Sequence, residues 1–562
     1  MMKTILLTLV LLLQHLHGQT LSRGPYLQMA TESSVTFRWK TSTSLVGRVN
    51  LGTNVGNLNI QVDGDAPRTD HVIAVTGLSP STTYFYSVGT SGQVFAGGTP
   101  DFRFTTAPAN GTSAPTRIMA FGDSGTGGPT QIAVRDALLA FQGNRSADVW
   151  LLLGDNAYNN GGEQEYQSFF FEKYPQFLRR TPVWSCLGNH DTANQTNPAG
   201  SYPYFQIFTF PTNGECGGVA SGREHYYSFN HGQTHFICLD SMTSDRSPTG
   251  AMANWLRADL AAAGNSRWIV AFWHHPPYSK GTHDSDFETP MVQMRTNFVP
   301  ILEEGGVDLI LCGHSHAYER SYLLDGHYGV SSTMTPAMKK NPGDGRPGGD
   351  GPYTKPRLRG EGHHGFVQVI AGSAGSADGG NFGHPAIIQS LNVPGALIID
   401  VDDQRLDAVM VQPSGSPAGS SFIIADSFTI LKQTNPDSDG DGIPDDYESS
   451  KGLDPNNPAD AALDQDADEI TNFEEYVLET QPAPKRRVLP RVNPLTKLTR
   501  VAFYAETGNN YRVSSSDDLI DWIVRSSWIS GDNSSQKWID DGSALPHDRR
   551  RFYRLEVAPA AP

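Results

Sequence analysis

The chain has 562 residues, 18% of them charged and 10% aromatic, and its formal net charge is −17 at pH 7. That length exceeds what one hydrophobic core supports, so several domains are expected. The acidic balance excludes a module that binds nucleic acid through a basic surface. Much of the acidity lies between Asp437 and Glu479, so it marks one segment rather than the whole chain.

The first eighteen residues have the pattern of a signal peptide. One lysine precedes an apolar stretch from Ile5 to Leu13, and the segment ends at Gly18. The stretch is too short to span a bilayer, which favours a cleaved signal over residues 1–18 and leaves an uncleaved anchor as the alternative. No later stretch approaches the ~20 apolar residues of a membrane span. We therefore expect an exported protein, secreted, periplasmic or on the cell surface, with no membrane span in the mature chain.

Four cysteines in an exported chain permit two disulfides without requiring them. Cys186, Cys238 and Cys312 lie in apolar runs, where buried thiols are common, and Cys216 lies in a Gly-rich loop. The pattern favours free buried thiols, with Cys186 and Cys216 as the first pair to test.

Residues 22–107 have the pattern of a β-sandwich. Short alternating segments such as Ser34–Trp39 and Tyr84–Val88 are separated by Gly, Asn, Asp and Pro turns. The segment Leu78–Tyr84 resembles the tyrosine corner of fibronectin type III modules. Such a module could bind substrate, but packing against the next domain is the favoured role.

A Pro-, Gly-, Ser- and Thr-rich linker follows, and residues 116–432 then alternate apolar strand patterns with helical ones. Alternation of this kind predicts a layered α/β domain, with further strands at Gly365–Gly372 and Ala396–Val401. Met334–Gly362 lacks periodicity, which predicts a mobile insertion or a lid. The predicted helices are Thr130–Phe141, Glu163–Arg179, Ala251–Ala263 and Pro290–Glu304.

Five short apolar runs in this domain each end on a residue that can bind a metal ion. A bounded apolar run is typical of a strand buried on both faces, and ligands collect beyond the carboxyl ends of such strands. Glycine precedes the ligand in four of the five endings and allows a sharp turn or a close approach. We therefore expect the endings to converge. The endings follow Phe121, Leu153, Leu187, Trp273 and Cys312.

The endings supply oxygen and imidazole donors without thiolate, which suits iron, zinc or manganese. The donors are too many for one ion, whereas two ions that share a carboxylate use them all, and paired ions catalyse phosphoryl displacement. The residues offered are Asp123, Asp155, Tyr158, Asn189, His190, His274, His314 and His316.

This set resembles the metallophosphoesterase superfamily, and Gly154–Tyr158 together with His314–Arg320 is similar to purple acid phosphatase. The resemblance covers roughly Arg23 to Lys432 and implies a catalytic β-sandwich flanked by helices. It also implies a ferric ion beside a divalent zinc, iron or manganese ion. The implied ferric ligands are Asp123, Tyr158, His316 and the bridging Asp155, and the implied divalent ligands are Asn189, His274, His314 and that same Asp155.

The family pattern also implies two catalytic imidazoles, His190 and His283, that contact phosphate and the leaving group. His275 is an alternative to His274 as the ligand at the fourth ending. The implied activity is an exported acid phosphatase that hydrolyses phosphomonoesters by attack of a metal-bound hydroxide. A phosphodiesterase or nucleotidase with two divalent ions is the alternative, and a surface adhesion protein with a structural metal centre is a third hypothesis.

Residues 435–480 contain a calcium-loop pattern in which acidic residues alternate and a glycine allows a sharp turn. The first copy comprises Asp437, Asp439, Asp441, Gly442, Ile443, Asp445 and Glu448. The second comprises Asp464, Asp466, Asp468, Ile470, Asn472 and Glu475, with Glu469 at the glycine position. These loops resemble the dockerin and thrombospondin type 3 class, which implies a Ca²⁺-rigidified spacer or, alternatively, docking to a partner.

The last segment, residues 486–562, alternates apolar and polar residues in Val501–Tyr504 and Tyr511–Ser514. This pattern predicts a small β domain. Its aromatic residues could contact a surface or a glycan, although core packing is the favoured use.

Overall fold

The structure is a computed structural model that describes residues 20–193, 202–263, 266–356, 362–433, 437–465, 471–479, 489–492, 499–505, 509–516, 523–530, 534–540 and 552–559. The predicted signal peptide lies outside these residues. The chain divides into two units. The first extends to residue 338 and includes 361–403 and 409–426, and the second comprises 339–360, 404–408 and 427–562. None of the helices within the described ranges is long and apolar enough to cross a bilayer.

The amino-terminal domain of the first unit has two antiparallel sheets. One sheet contains Leu21–Gln28, Ser34–Leu45 and Arg68–Thr76, and the other contains Ile60–Asp63, Arg48–Gly52, Thr83–Gly89, Val94–Gly97 and Arg103–Thr105. Along Arg68–Thr76 the buried residues His71, Ile73 and Val75 alternate with exposed ones, as expected of a strand that covers a core on one face. Both sheets contribute to that core, which includes Phe37, Trp39, Val49, Tyr86 and Phe104.

The predicted tyrosine corner is present as a hydrogen bond. The Ser79 backbone N–H donates to the Tyr84 hydroxyl at 3.0 Å. Because Tyr84 is itself buried, this bond satisfies a polar atom inside the domain and fixes the crossing between strands.

Hydrogen bonds connect the amino-terminal domain to the α/β region that follows it. The Tyr26 hydroxyl donates to the Ile207 carbonyl at 2.6 Å, and Arg38 Nη1 donates to Thr209 Oγ1 at 3.0 Å. Tyr86 donates to the Arg179 carbonyl at 3.0 Å. Tyr26 and Arg38 are both buried, so the two domains share an interface with desolvated polar contacts.

The α/β region begins with a group of parallel strands. Val183–Ser185, Val149–Leu152 and Thr116–Phe121 lie side by side in parallel, and Ala396–Val401 pairs with Thr116–Phe121 in antiparallel fashion. All residues of Val149–Leu152 are buried. The next strands along the chain are Arg405–Ser414 and Ser421–Gln433.

A second sheet completes the α/β region. Its strand order is Tyr227–His231, Thr234–Cys238, Trp268–Phe272, Leu309–Cys312, Val367–Ala371, Tyr318–Ser321 and Ile387–Leu391. The two sheets pack face to face where the Trp184 ring stacks on Phe229, with centroids 3.7 Å apart and planes at 5°. The five apolar runs therefore belong to two sheets, three in the first and two in the second.

Two of the predicted helices form as single elements, and two are interrupted. Pro129–Gln142 and Ala251–Ala262 are continuous. The predicted helix Glu163–Arg179 consists of short pieces because Pro175 cannot continue a helix. Pro300 divides the last predicted helix in the same way. The remaining helices of this unit are Glu163–Glu165, Tyr166–Phe171 (a π-helix), Pro175–Leu178, Pro203–Ile207, Thr289–Asn297 and Val299–Glu304, with 3-10 turns at Ser331–Thr333 and Pro336–Met338.

Part of the Met334–Gly362 insertion forms regular structure, which the sequence pattern did not predict. Tyr353–Pro356 is a strand that pairs in parallel with residues 430–433 within the second unit. Tyr353 and Lys355 are buried. This strand argues against a wholly mobile insertion.

All four cysteines, Cys186, Cys216, Cys238 and Cys312, are buried and free. Burial raises the pKa of the Cys216 thiol to about 12 and keeps it protonated. The structure therefore matches the expectation of free thiols and gives no support to a bond between Cys186 and Cys216.

The second unit continues with the spacer and the carboxyl-terminal strands. The spacer helices are Asp445–Lys451, the 3-10 turn Asp460–Ala462 and Asn472–Glu479. They enclose a small core of Ile443, Ala461 and Phe473. The strands that follow are Leu489–Val492, Thr499–Ala505, Asn509–Ser516, Ile523–Val524, Ile529–Ser530, Ser534–Asp540 and Phe552–Pro559.

The carboxyl-terminal strands contain the predicted alternation. Val501, Phe503, Tyr511 and Val513 are buried together, so these aromatic side chains are used for packing. Trp528 is exposed. Contact with a surface or a glycan stays a prediction.

Candidate binuclear metal centre

The structure brings the five polar strand endings together in the first unit. Asp123 follows Thr116–Phe121 in one sheet and lies within hydrogen-bonding range of the His314 backbone, which follows Leu309–Cys312 in the other sheet. His274 similarly reaches across to the Leu153 carbonyl at 2.8 Å. The candidate site therefore lies where the carboxyl ends of the two sheets meet.

Three of the candidate ligands have a backbone conformation that L-residues rarely adopt. The φ angles of Asp123, Asp155 and His314 are 57°, 53° and 68°. Each such residue costs roughly 1–3 kcal/mol and persists only where the surrounding structure imposes it. This strain turns each side chain back over the end of its strand and towards the others.

The glycines before the ligands allow close approach. A Cβ atom on Gly188 would lie 2.1 Å from Asp155 Oδ1, and one on Gly154 would lie 2.5 Å from His274 Nδ1. Real Cβ atoms do not approach other atoms so closely. Any larger residue at either position would therefore push candidate ligands apart.

One group of donor atoms surrounds the Tyr158 hydroxyl. This oxygen lies 3.1 Å from each of Asp123 Oδ1, Asp155 Oδ2 and His316 Nε2. His316 Nε2 is 3.6 Å from Asp123 Oδ1. Ligand atoms about 2.1 Å from one cation are about 3 Å apart at right angles, so these separations fit donors around a single ion.

A second group of donor atoms surrounds Asn189 Oδ1. This oxygen lies 2.9 Å from His274 Nε2 and 3.1 Å from His314 Nδ1. His274 Nε2 is 3.4 Å from Asp155 Oδ2, the oxygen that also belongs to the first group. One carboxylate oxygen therefore lies between both groups, as a bridging ligand must.

The outer nitrogen of each imidazole already has an acceptor. His274 Nδ1 donates to the Leu153 carbonyl at 2.8 Å, His314 Nε2 to Glu288 at 2.9 Å, and His316 Nδ1 to Asp378 at 2.6 Å. In the neutral tautomer that results, the inner nitrogen has a lone pair and no proton. His314 Nδ1 thus faces the Asn189 oxygen at 3.1 Å with acceptor opposing acceptor.

Only positive charge between such acceptors makes the arrangement favourable, and a proton or a metal ion can supply it. Burial lowers the pKa of His274, but Asp155 outweighs burial and raises it to about 10. Burial lowers the pKa of His314 to about 4, so this ring is neutral at mildly acid pH and keeps its lone pair. Burial and the adjacent Asp123 and Asp155 raise the pKa of Tyr158. The donor set therefore fits two cations, and a phenolate at Tyr158 needs a strongly charged one.

The two predicted catalytic imidazoles lie at the rim of the site. His190 donates its backbone N–H to Asp155 Oδ1 at 2.8 Å, and its ring lies 4.3 Å from that of Tyr158. The His283 ring lies 3.7 Å from that of His314. Both side chains are about one-third exposed, so a substrate can reach them.

Glu288 joins one rim imidazole to the centre. Its Oε1 accepts a 2.6 Å hydrogen bond from His283 Nδ1, and its Oε2 accepts one from His314 Nε2 at 2.9 Å. Burial raises the pKa of Glu288, but the hydrogen bonds from both histidines outweigh it and hold the pKa well below its usual range. Glu288 therefore remains a carboxylate in acid solution.

Asp191 holds two of the ligand loops in place. Its Oδ2 accepts hydrogen bonds from the Asp155 and Gly188 backbone N–H groups, both at 2.9 Å. Its Oδ1 accepts from the Asn156 backbone and from the Tyr166 hydroxyl. Burial and the nearby Asp155 raise the pKa of Asp191 to about 6.

The sequence analysis did not identify Glu288, Asp378 or Asp191 as parts of the site. Asp191 follows His190 directly and could have been noticed as the acidic residue at the third strand ending. His275, the alternative ligand, instead has Nδ1 2.9 Å from Ser241 Oγ, so the geometry favours His274.

The structure brings together part of the predicted calcium loops in the second unit. Carboxylate oxygens of Asp437, Asp439 and Asp441 lie within 4.8 Å of one another. Asp464, Asn472 and Glu475 of the second loop are described, whereas Asp466, Asp468 and Ile470 lie outside the described residues. Asn472 donates from Nδ2 to the Asp460 carbonyl at 2.7 Å, so its amide stabilises the spacer fold.

Comparison with known families defines the class of the first unit. Residues 23–106 match the model of the purple acid phosphatase N-terminal domain, and residues 116–318 match that of the calcineurin-like phosphoesterases. The chain therefore carries a purple acid phosphatase N-terminal domain followed by a calcineurin-like phosphoesterase domain, whose family implies a binuclear metal centre.

Individual relatives agree with this class. Purple acid phosphatase 15 of Arabidopsis thaliana is 31% identical over 277 residues, covering 45% of this chain and 49% of the relative. Purple acid phosphatase 23 of the same plant is 26% identical over 53% of this chain and 75% of the relative. Uncharacterized protein Rv2577 of Mycobacterium tuberculosis is 27% identical over 56% of this chain and 64% of the relative. The chain thus spans about half the length of the first of these relatives.

Solved structures show the same fold. A purple acid phosphatase from yellow lupin seeds, PPD1, superposes with a TM-score of 0.58 at 17% identity, covering 73% of this chain and 74% of the lupin chain. PhoD superposes with a TM-score of 0.51 at 13% identity, covering 73% of this chain and 90% of that chain. At these identities the likeness establishes the fold alone.

Proposed function

We propose that this protein is an exported acid phosphatase that hydrolyses phosphomonoesters at a binuclear metal centre. The observation that carries the proposal is the pair of donor groups that share Asp155 Oδ2, in which Asn189 Oδ1 opposes His274 Nε2 and His314 Nδ1. His314 Nδ1 and Asn189 Oδ1 are both acceptors and lie 3.1 Å apart, so they are arranged for a cation rather than for each other.

The two groups of donors differ in the cation that suits them. Asp123, Tyr158 and His316 include a phenol, whose proton leaves at acid pH only beside a strongly charged cation such as Fe³⁺. Asn189, His274 and His314 are neutral ligands, which suit a divalent ion such as Zn²⁺, Fe²⁺ or Mn²⁺. When bound, such a pair neutralises the charge on phosphate oxygens and makes water acidic enough to act as a nucleophile.

His190 is placed to bind the phosphate group. Its Nδ1 donates to the Asn159 carbonyl at 2.8 Å, which leaves Nε2 for the substrate. Nε2 is 4.0 Å from Asp155 Oδ2, so the ring lies beside the shared ligand. A phosphate oxygen over the centre would be within reach of this nitrogen.

We assign His283 the role of protonating the leaving alkoxide. When the ring is protonated at both nitrogens, Nδ1–H donates to Glu288 and the proton on Nε2 can pass to the alkoxide, which leaves a neutral imidazole. Because Glu288 also binds His314, it fixes the position of His283 relative to the divalent site. Glu288 therefore acts as a positioning residue.

A panel of substrates and metals tests this proposal. We expect purified protein to release phosphate from p-nitrophenyl phosphate at acid pH and to act much more slowly on bis(p-nitrophenyl) phosphate. A faster rate on the diester would support the phosphodiesterase alternative. Metal analysis is expected to find iron with one divalent metal, and an active zinc- or manganese-only enzyme would contradict the iron assignment.

An Asn189→Ala variant separates an enzyme from an adhesion protein with a structural metal centre. The change removes the oxygen between two imidazoles without removing a charge, so we expect the fold to persist and hydrolysis to be lost. Circular dichroism checks the fold. Unchanged hydrolysis in a folded variant would overturn the assignment of this centre as catalytic.

A further inference from the structure

The spacer contains a buried carboxylate that has no partner of its own. The Glu448 side chain is fully buried, and neither of its oxygens has a hydrogen-bond partner among the described residues. Burying an ionised carboxylate without compensation is strongly unfavourable. A proton or a bound cation must therefore neutralise Glu448.

Two further carboxylates approach the same point. One oxygen each from Asp441, Glu448 and Asp460 lies within 4.8 Å of the others. Asp460 belongs to a separate 3-10 turn, twelve residues after Glu448 and outside the predicted loop. Oxygens about 2.4 Å from one Ca²⁺ ion are at most about 4.8 Å apart, so these three carboxylates can bind a single ion.

Each aspartate in this cluster uses one oxygen for the backbone and leaves the other unused. Asp441 Oδ1 accepts from the Ile443 N–H at 2.8 Å, and Asp460 Oδ2 accepts from the Asp454 N–H at 2.9 Å. The remaining oxygens, Asp441 Oδ2 and Asp460 Oδ1, are buried without a partner in the described part of the chain. Asp439 Oδ2 is in the same state. The backbone bonds thus orient these side chains while leaving oxygens free for an ion.

Asp445, which occupies a ligand position in the loop pattern, is engaged elsewhere. Its Oδ1 accepts from the Ser438 backbone N–H and its Oδ2 from the Ser438 hydroxyl, both at 2.7 Å. Each oxygen therefore already accepts a hydrogen bond, and the two bonds tie Ser438 to the start of the helix Asp445–Lys451.

We infer that Asp460 completes a calcium site with Asp439, Asp441 and Glu448, and that Asp445 is not one of its ligands. The available donors are hard oxygens at variable separations, which suit Ca²⁺ better than the small octahedral Mg²⁺ or a softer transition metal. The site goes beyond the proposed phosphatase function and does not depend on it.

The position of Asp460 gives the ion a structural role. Its carbonyl accepts the hydrogen bond from Asn472 Nδ2 at 2.7 Å, which connects the ion to the helix that follows. Among the described residues of the spacer, the buried apolar cluster comprises Ile443, Ala461 and Phe473, with Tyr447, Leu453 and Tyr476 partly buried against it. Since so small a core rarely suffices for a stable fold, Ca²⁺ joins the loop 437–448 to residues 460–479 and stabilises the spacer.

Calcium titration of three single variants of the full chain tests this inference. We expect Asp460→Asn to weaken Ca²⁺ binding about tenfold or more, since it removes a charged ligand, and Asp445→Asn to weaken it by less than about threefold. Asp454→Asn serves as the matched control, because its carboxylate accepts a hydrogen bond from the Asn456 backbone N–H at 3.1 Å and is not in the inferred ligand set. Isothermal titration calorimetry after removal of bound calcium gives the affinities.

Limited proteolysis supplies a second measurement that does not require an affinity. Removal of Ca²⁺ is expected to increase cleavage between residues 434 and 484, and re-addition is expected to suppress it for Asp445→Asn but not for Asp460→Asn. Phosphatase activity measured in parallel shows that each variant is folded in its first unit. A larger loss of Ca²⁺ affinity in Asp445→Asn than in Asp460→Asn would overturn the inference. Cleavage of the parent protein at the same rate with and without Ca²⁺ would also overturn it.

Discussion

The proposed binuclear centre and the inferred calcium site both use carboxylate ligands, but the protein supports these ligands in very different ways. The catalytic ligands come from five distant segments, each at the end of a buried strand, and their loops are joined by hydrogen bonds such as those of Asp191. The inferred calcium ligands come from one short stretch of chain, whose described residues form a small apolar cluster. We therefore expect the fold to position the ions in the first unit, whereas in the spacer we expect the ion to stabilise the fold. Removing metal should abolish activity in the first unit and loosen the structure of the spacer.

The largest effect is expected from the carboxylate that both catalytic groups share. Asp155→Asn keeps the shape of the side chain but removes the charge between the two cations, so we expect kcat to fall by about a thousandfold or more. Metal analysis is expected to show loss of both ions, while circular dichroism remains unchanged. Asp148→Asn is the control, because this half-buried carboxylate accepts a hydrogen bond from the Arg117 backbone at 2.8 Å away from the centre. Retention of both metals by Asp155→Asn would contradict the bridging role.

A smaller loss is expected from Glu288→Gln. The amide can accept from only one of the two histidines, so either His283 or His314 loses its orientation. Affinity for the divalent ion and kcat are each expected to fall about tenfold to a hundredfold. Because the carboxylate stays ionised in acid solution, the loss should persist across the acid pH range. The control is Asp284→Asn, on the same loop and paired with Lys280, and an equal loss of metal affinity there would indicate general damage to the loop.

The phenol at Tyr158 is expected to affect colour more than rate. Tyr158→Phe removes one ligand of the proposed ferric ion, and a violet absorption band should disappear because it arises from a ferric phenolate. The rate is expected to fall by less than about tenfold, since the other ligands remain. Visible absorption and steady-state rates are measured on the same sample of Tyr158→Phe, so that the loss of colour can be compared with the loss of rate. Tyr202→Phe is the control. A band that survives the substitution would assign the colour to another residue.

The smallest effect concerns a buried carboxylate that belongs to neither metal site. Burial raises the pKa of Glu303 to about 7, above its value in an unfolded chain, so folding favours the protonated form. The protonated Glu303 side chain therefore contributes to the free energy of unfolding below about pH 4.5, and this contribution is lost as the pH rises through about 7. Glu303→Gln removes this titration, and we expect its free energy of unfolding relative to the parent to rise by about 3 kcal/mol between pH 4.5 and 8.

Urea unfolding at pH 4.5 and at pH 8 measures this difference, and the exposed neighbour Glu304→Gln provides the control. Activity should not change, because Glu303 hydrogen-bonds to Gly326 and Tyr328 rather than to the centre. If the free energy of unfolding of Glu303→Gln relative to the parent fell as the pH rose, the raised pKa of Glu303 would be contradicted.

The sequence contained enough information to predict the ligand-bearing strand endings but not how the strands are distributed. An apolar run such as Val149–Leu153 or Trp268–Trp273 indicates a buried strand, yet nothing in it specifies which of two sheets it joins. The glycines at 154 and 188 could be interpreted because their effect is local. The interrupted helices were also predictable in principle, since Pro175 and Pro300 lie inside the predicted ranges.

The residues that escaped prediction act through tertiary contacts. Glu288 follows His283 in a loop without periodicity, and Asp378 reaches His316 from 62 residues away. Asp460 lies outside every loop pattern, and its meaning depends on Glu448 being buried beside it. In each case the sequence shows an ordinary acidic residue, and only the folded arrangement reveals what it contacts.

The hydrogen bonds that fasten the amino-terminal domain to residues 202–209 have a practical consequence. Deleting residues 20–106 would leave the Ile207 carbonyl without the Tyr26 hydroxyl and Thr209 without Arg38. A recombinant fragment beginning near residue 116 would then present bare polar groups and a newly uncovered apolar face. Such a fragment should aggregate more readily than the intact first unit, so the smallest soluble piece that retains activity should begin before Leu21.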